Sequence, residues 1–226
     1  MRAGSTVRQR QPGKSSSVIH PEIEPAWWEQ YQDLGSALTP YIGLEQNASA
    51  ITSFAAFYVP ALLQTAEYAR AIITGIAPGI NPDVLSDRVE ARLRRQDILN
   101  SDHPPRYRVL IDEGVFHRPT GGAGVMVEQI DKILDFIEAD KVIAQVVPFD
   151  VGVIAAQDSN FILLEFDDRA PTVFVERLQD GQILDDEPSV RRYREAIDNL
   201  RDSALTTRET KARFAQLRKT YDSARS

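Results

Sequence analysis

The spacing of apolar residues changes partway along the chain, and this change constrains the fold more than any other feature. Up to about His103 the apolar positions mostly recur at helical spacing. Residues 106–111 (RYRVLI) then alternate as in a strand, a helical pattern follows over residues 125–138, and another strand pattern follows over 142–147. The order predicts helices first and then a sheet with one crossover helix.

The segments after this crossover complete a mixed α+β fold. Residues 160–166 (NFILLEF) and 172–176 (TVFVE) have the composition of strands, and the turn-like stretch 167–171 between them predicts a hairpin. Two C-terminal helices should follow, and the second begins with the capping-box pattern of Thr206 and Glu209. The predicted fold class is α+β, with N-terminal helices, a small mixed β-sheet and C-terminal helices.

Residues 1–25 are expected to form a disordered basic tail or linker. They are rich in Ser, Arg, Gln, Gly and Pro, and the first twenty hold four basic residues and no acid. The whole chain has a net charge of −7, so the remainder is more acidic still, and an acidic body does not attract nucleic-acid phosphates. The tail is interpreted as a solvated linker, with weak nucleic-acid binding as the alternative. Order should begin near Trp27, and residues 26–226 are predicted to form a single ligand-binding or partner-binding domain.

The composition of the chain excludes several classes of protein and of metal site. Cysteine is absent, which excludes disulfides and thiolate metal sites, and no apolar run reaches the length of a membrane helix. The three histidines, His20, His103 and His117, are scattered and match no metal motif. We therefore expect a cytoplasmic protein without a cofactor or a metal, and without a membrane partner.

One stretch, residues 59–73 (VPALLQTAEYARAII), raises the question of a binding surface. Projected as a helix over residues 62–74, it places Thr65 and Arg70 within or beside its apolar sector. One interpretation is a core helix, in which the threonine bonds back to the backbone and the arginine reaches water. The other is that both side chains face a cleft.

A second candidate site follows the strand at residues 106–111. Asp112, Glu113, His117 and Arg118 cluster there, and a carboxylate pair beside a histidine and an arginine could carry out acid–base catalysis. No nucleophile motif accompanies them, so a ligand-binding or structural role is favoured over an enzyme. The glycines of residues 121–124 precede a helix, where an anion could bind, but a plain strand-to-helix loop is the favoured interpretation.

A stripe of arginines lies along the predicted helix that ends near Asn100. Arg88, Arg92 and Arg95 recur on one side of it. A solvated basic face is the default interpretation of such a stripe, and contact with an acidic partner or ligand is the alternative.

Seven segments together resemble a known family. In chain order they are WWEQYQDL, YIGLEQNASAI, YVPALLQTAEYARAI, RVEARLRRQDIL, VLIDEGVFHRPTGG, QVVPFDVG and NFILLEF. They are similar to the C-terminal domain of actinobacterial Xre-type helix-turn-helix regulators, the WhiJ-like, antitoxin-like transcriptional regulators. The resemblance covers about residues 26–205.

The resemblance implies a sensing domain of uncharacterised function that binds a small-molecule effector or a small partner protein, and it leaves a homodimer open. It supplies no catalytic residues. The positions expected to serve recognition are Gln64, Thr65, Tyr68, Arg70, Asp112, Glu113 and Arg118, together with His117 from the strand-end cluster. Family members bind DNA through an N-terminal helix-turn-helix, which has no counterpart in this sequence, so DNA binding is not expected of these residues themselves.

Overall fold

The structure, a computed structural model, describes residues 26–31, 34, 38–176 and 181–224. The predicted basic tail, residues 1–25, lies outside the described residues. Within them the predicted α+β class is confirmed by six α-helices and a six-stranded mixed sheet. No helix among the described residues is long and apolar enough to cross a membrane.

The sheet combines a parallel half and an antiparallel half. Its strands are β1 (Ala50–Ala55), β2 (Arg106–Asp112), β3 (Ile143–Val147), β4 (Phe161–Glu165), β5 (Thr172–Glu176) and β6 (Gly181–Leu184). Their order is β3-β2-β1-β4-β5-β6, with β1, β2 and β3 parallel and the pairs β1–β4, β4–β5 and β5–β6 antiparallel. The carboxyl ends of β1 and β5 therefore meet the amino end of β4 at one edge.

Helices cover both faces of this sheet. They are α1 (Leu38–Glu45), α2 (Ala66–Ile76), α3 (Pro82–Arg95), α4 (Ala123–Glu138), α5 (Glu187–Ser203) and α6 (Thr207–Ser223). Side chains alternate along β2, so Val109 joins the larger core with Phe214 of α6 while Leu110 joins the smaller core with Ile197 of α5. Since both faces are buried, the middle of β2 is apolar on both sides, at Val109, Leu110 and Ile111.

Several sequence predictions are confirmed in detail. The predicted hairpin forms between β4 and β5, with Phe161 opposite Val175. The capping box of Thr206 and Glu209 is present at the start of α6. The sequence of residues 44–54 is compatible with a helix or a strand, and the structure contains both, because α1 ends at Glu45 and β1 begins at Ala50. The edge strand β6 was not predicted, since its four residues carry no alternating pattern.

The predicted continuous helix over residues 62–74 is wrong. A 3-10 turn at Ala61–Leu63 and the α-helix α2 are separated by Gln64 and Thr65, whose backbones are extended. Thr65 is the N-cap of α2, and its hydroxyl accepts a hydrogen bond from the Tyr68 N–H at 3.2 Å. A threonine hydroxyl satisfies a free N–H better at a helix start than inside a helix, so the chain breaks there. The first of the predicted N-terminal helices is likewise replaced, over the residues described, by a 3-10 turn at Trp27–Gln30.

The solvated face predicted for the arginine stripe is also wrong for two of its members. Arg95 is buried and forms two hydrogen bonds of 2.8 Å with the carboxylate of Glu45. Arg92 is half-buried and donates to Gln64 at 2.8 Å. The acidic partner of the stripe is thus a residue of the same chain.

Candidate ligand-binding site

A cleft of about 1150 Å³ opens at the sheet edge where β1 and β5 end and β4 begins. The helices α2 and α5 form its sides, and the loops before α4 and β4 complete it. Its apolar lining consists mainly of Phe57, Ile72, Ile76, Val175 and Tyr193. Phe57 and Ile76 are 53% and 48% exposed, which is unusual for such side chains and leaves apolar surface open to a ligand.

Three polar side chains form what we call the cleft floor, namely Tyr58, Asn160 and Glu176. The Tyr58 hydroxyl donates to Glu176 Oε2 at 2.8 Å, and Asn160 Nδ2 donates to the same oxygen at 2.9 Å. Burial and the neighbouring Glu176 carboxylate raise the pKa of Tyr58, so this hydroxyl stays a donor. The floor therefore presents the carboxylate of Glu176, which is held by two hydrogen bonds to its Oε2 atom.

The strand pairing explains why these three residues meet. Because Phe161 pairs with Val175, the next residues outward, Asn160 and Glu176, are neighbours, and the Glu176 N–H donates to the Asn160 carbonyl at 3.0 Å. Asn160 Oδ1 also accepts from the backbone N–H groups of Ala56 and Phe57, at 2.7 and 3.2 Å. One buried asparagine thus joins the ends of three strands and fixes the floor.

A much smaller cavity, here called the inner cavity, lies behind the cleft floor. It has a volume of about 20 Å³ and shares Tyr58, Asn160 and Glu176 with the cleft. Its other polar lining includes the Glu45–Arg95 ion pair and the Tyr107 hydroxyl, which is buried without a hydrogen-bond partner among the described residues. This volume and these groups suit a single water molecule.

Charged side chains of both signs line the outer part of the cleft. Arg118 follows the cluster predicted after β2, Asp158 precedes β4, and Arg192 lies on α5. All three are exposed. Of the eight residues predicted for recognition, Arg118 is the one that lines the cleft.

Gln64 and Tyr68, also predicted for recognition, are instead fully buried. Gln64 belongs to a group of three buried glutamines that we call the glutamine cluster, with Gln96 and Gln129. Gln64 Nε2 donates to the Val59 carbonyl at 2.6 Å, and the hydroxyl of Tyr68 accepts from the Val59 N–H at 3.3 Å. These side chains hold the turn before α2.

The other members of the glutamine cluster, Gln96 and Gln129, form hydrogen bonds with the backbone of the same turn. Gln96 Nε2 donates to the carbonyls of Ala61 and Gln64, both at 2.8 Å. Gln129 donates to the Leu63 carbonyl at 2.7 Å and accepts from the Thr65 N–H at 2.9 Å. The backbone groups freed by the break between the 3-10 turn and α2 are thereby satisfied.

The sequence allows two interpretations of Thr65 and Arg70, as residues of a core helix or as residues that face a cleft. Thr65 caps α2, and Arg70 is 43% exposed and lies 3.9 Å from Glu67 in a surface ion pair. Neither side chain lines the cleft. Both positions are explained by local structure.

The fold brings together Asp112, Glu113 and His117 of the strand-end cluster, but both carboxylates already accept hydrogen bonds from other groups of the protein. His117 Nε2 lies 3.5 Å from Glu113 Oε1, and Asp112 accepts from the Gly114 N–H at 2.7 Å. Burial alone would raise the pKa of Glu113, but hydrogen bonds from Arg213 and the Phe149 N–H outweigh it and hold the pKa below its ordinary value. Glu113 therefore stays ionised and joins β2, β3 and α6. No group of three or more metal-ligating side chains occurs in the described part of the chain.

The floor residues Tyr58, Asn160 and Glu176 were missed by the sequence analysis. The available signal was modest, since Asn160 and Glu176 are the polar residues at the open end of a predicted hairpin. Their juxtaposition with Tyr58 depends on β4 pairing with β1, which no local pattern encodes.

Comparison with known protein families identifies the chain. The model of a domain of unknown function (DUF5753) matches residues 38–216, which cover α1, the whole sheet and most of α6. The chain therefore belongs to this family. A search of curated proteins finds no match.

Proposed function

We propose that this member of the DUF5753 family is the effector-binding domain of an antitoxin-like transcriptional regulator, and that the cleft is its effector site. The observation that carries the proposal is the cleft itself. Its volume, its exposed aromatic and aliphatic walls and its few convergent polar groups are the features of small-molecule sites. Its place beyond the carboxyl ends of β1 and β5 is where mixed and parallel sheets commonly bind ligands.

The regulatory part of the proposal draws on the resemblance to the C-terminal domains of Xre-type, WhiJ-like regulators. In such a protein a helix-turn-helix domain binds DNA and the domain described here senses the signal. A small molecule suits the cleft better than a partner protein, because the polar groups of the floor converge at the bottom of a concavity. A small partner protein stays the alternative occupant, on the same surface.

A series of contacts that connects the cleft with the N-terminal residues supports this role. Helix α2 forms one side of the cleft and packs on α3 through Ala69, Ile73 and Val89. Helix α3 in turn holds the first described residues, because Glu90 accepts from the Tyr31 hydroxyl at 3.1 Å and Arg94 lies over Trp27 at 4.9 Å. A ligand that displaces α2 would shift the contact made by the segment that leads to any preceding domain.

The test is to block the cleft by one substitution and to identify what the protein carries. Ala71 lines the cleft from α2, and Ala71→Trp fills part of it; Ala212→Trp, on the exposed side of α6, is the matched control. The proteins are purified from the native host and analysed intact by native mass spectrometry. We expect a bound small molecule in the wild type and in A212W but not in A71W. An adduct that A71W retains would contradict the assignment of the cleft.

Acid–base catalysis by Asp112, Glu113 and His117 is a second candidate, motivated by the 3.5 Å contact between Glu113 and His117. A reaction there would require His117, which is half-exposed, to act with a carboxylate that Arg213 already neutralises. Turnover of a ligand found by mass spectrometry, lost in His117→Ala and kept in Ala71→Trp, would favour this candidate over the cleft.

A further inference from the structure

We propose that the cleft selects a protonated amine attached to an apolar or aromatic body, and that Glu176 is the residue that determines this specificity. The inference rests on the proposed effector site and names the chemical class of its ligand. Three observations on the cleft floor and walls carry it.

The first observation is that the Glu176 carboxylate is only half used. Oε2 accepts two hydrogen bonds, from Tyr58 and Asn160, whereas no described residue donates to Oε1. A carboxylate accepts about four hydrogen bonds when fully satisfied, and it has no proton to donate when ionised. A ligand that reaches this group is therefore bound best when it brings a donor.

The second observation concerns the charges around Glu176. Arg92 and Arg95 lie close enough to interact with it electrostatically. Their guanidinium groups donate elsewhere, Arg92 to Gln64 and Arg95 to Glu45. Arg95 is neutralised by that ion pair, and within the described residues Glu176 has no ion-pair partner in direct contact. A cationic donor supplied by a ligand would complete the floor with a charge-assisted hydrogen bond.

The third observation is the composition of the walls. Phe57 and Tyr193 present aromatic rings to the cleft, and Ile72 and Ile76 present aliphatic surface. Aromatic faces attract ammonium groups as well as apolar bodies. A small alcohol or amine with a hydrocarbon body fits these walls.

The hydrogen bonds of the floor also predict how a substitution at residue 176 changes the specificity. Because Tyr58 and Asn160 both donate to the Oε2 position, the carbonyl oxygen of a glutamine at residue 176 should occupy that position. The amide NH₂ would then replace Oε1. Glu176→Gln thus exchanges an acceptor for a donor without changing the size of the side chain, so the variant should lose its preference for amines.

The test measures the affinities of three probes of similar size by isothermal titration calorimetry. They are 2-phenylethylammonium, neutral 2-phenylethanol and anionic 3-phenylpropionate. For the wild type we expect the ammonium to bind at least about tenfold more tightly than the carboxylate, a difference of about 1.4 kcal/mol. In Glu176→Gln that ratio should fall to about one or reverse. Glu195→Gln, at an exposed carboxylate of α5 that does not line the cleft, is the matched control and should keep the ratio.

The possible outcomes test the class of ligand and the location of the binding site separately. A wild type that prefers 3-phenylpropionate or 2-phenylethanol, in a manner abolished by Ala71→Trp, overturns the amine inference and leaves the cleft as the effector site. An unchanged ratio in E176Q overturns the role of Glu176. Binding that A71W does not weaken, or no binding of any probe, counts against both. Cooperative urea unfolding of E176Q at the wild-type midpoint establishes that the variant is folded.

Discussion

The glutamine cluster and the cleft floor are both groups of polar side chains near the ends of β1, yet they differ in how their hydrogen bonds are used. Gln64, Gln96 and Gln129 direct their side chains at backbone groups of one turn. In the cleft floor, Glu176 keeps an oxygen to which no described residue donates. The first group is complete within the described residues, whereas the second keeps an acceptor that the proposed ligand would use.

The location of its hydrogen-bond partners distinguishes a structural polar side chain from one that serves recognition. A buried polar side chain whose partners all lie in its own chain stabilises the fold, because each lost partner leaves a buried group unsatisfied. A polar side chain that is positioned by neighbours but not satisfied by them is suited to recognition. Substitutions in the glutamine cluster and its surroundings should therefore change stability, and substitutions in the cleft floor should change binding.

The largest expected loss of stability comes from the buried ion pair behind the floor. Arg95→Met leaves the carboxylate of Glu45 buried, with a hydrogen bond from Tyr41 but without its counter-ion. We expect the free energy of unfolding to fall by about 3–5 kcal/mol, measured by urea denaturation.

The double variant Glu45→Leu/Arg95→Met is the control for that loss. It removes both charges and should recover most of the stability, because two apolar side chains replace a buried pair without leaving a charge behind. A double variant as unstable as R95M would show that the loss comes from packing rather than from the unpaired carboxylate.

The next largest effect is expected in the glutamine cluster. Gln64→Ala removes a donor to the Val59 carbonyl and an acceptor for Arg92, and it leaves a cavity at a fully buried position. We expect a loss of about 2–4 kcal/mol in the free energy of unfolding. A loss below that range would mean that Gln96 and Gln129 hold the turn without it, and would weaken the contrast with the cleft floor.

A smaller effect, dependent on pH, is expected at Glu113. Its pKa in the folded protein lies below the ordinary value of 4.5, so its ionised form adds stability above that pH, and the contribution is lost as the pH falls through the folded pKa. Glu113→Gln should cost about 1–3 kcal/mol at pH 7, because an amide replaces a carboxylate that accepts from Arg213 and Phe149.

The pH series supplies the check on this assignment. Urea denaturation of wild type and E113Q from pH 7 down to about pH 3 should show the difference shrinking below the ordinary carboxyl range. Glu128→Gln, exposed on α4, should cost no more than about 0.5 kcal/mol at any pH. A gap between wild type and E113Q that stays constant with pH would mean that ionisation of Glu113 is not what stabilises the junction.

The smallest effect on stability is expected in the cleft floor. Glu176→Gln keeps an oxygen for Tyr58 and Asn160, so the free energy of unfolding should change by less than about 1 kcal/mol. Thermal unfolding without ligand measures this directly. A loss as large as that of Q64A would make Glu176 a structural residue and would remove the contrast between the two groups.

The sequence predicted the elements of the fold better than the site. Hydrophobic periodicity and turn residues placed β2, β5 and α4 because these patterns are local. The order of the strands is not local, and pairing of β4 with β1 is what gathers Tyr58, Asn160 and Glu176.

The predicted recognition residues show the same limit. Gln64 and Thr65 drew attention as polar residues beside an apolar pattern, which is equally the signature of a helix cap and its supporting hydrogen bonds. Residue type showed that these positions matter, but the partner of each polar atom decides whether the role is structural. Arg118 was placed in a site because it follows a strand end, and it does line the cleft.

The most direct measurement compares Gln64→Ala and Glu176→Gln in one experiment, by urea unfolding of each variant with and without 2-phenylethylammonium. We expect opposite results for the two variants. Q64A should lose stability and still be stabilised by the ligand, whereas E176Q should keep its stability and no longer respond to the ligand. Loss of stability in E176Q together with an undiminished response to the amine would contradict the division between a structural cluster and a recognition floor.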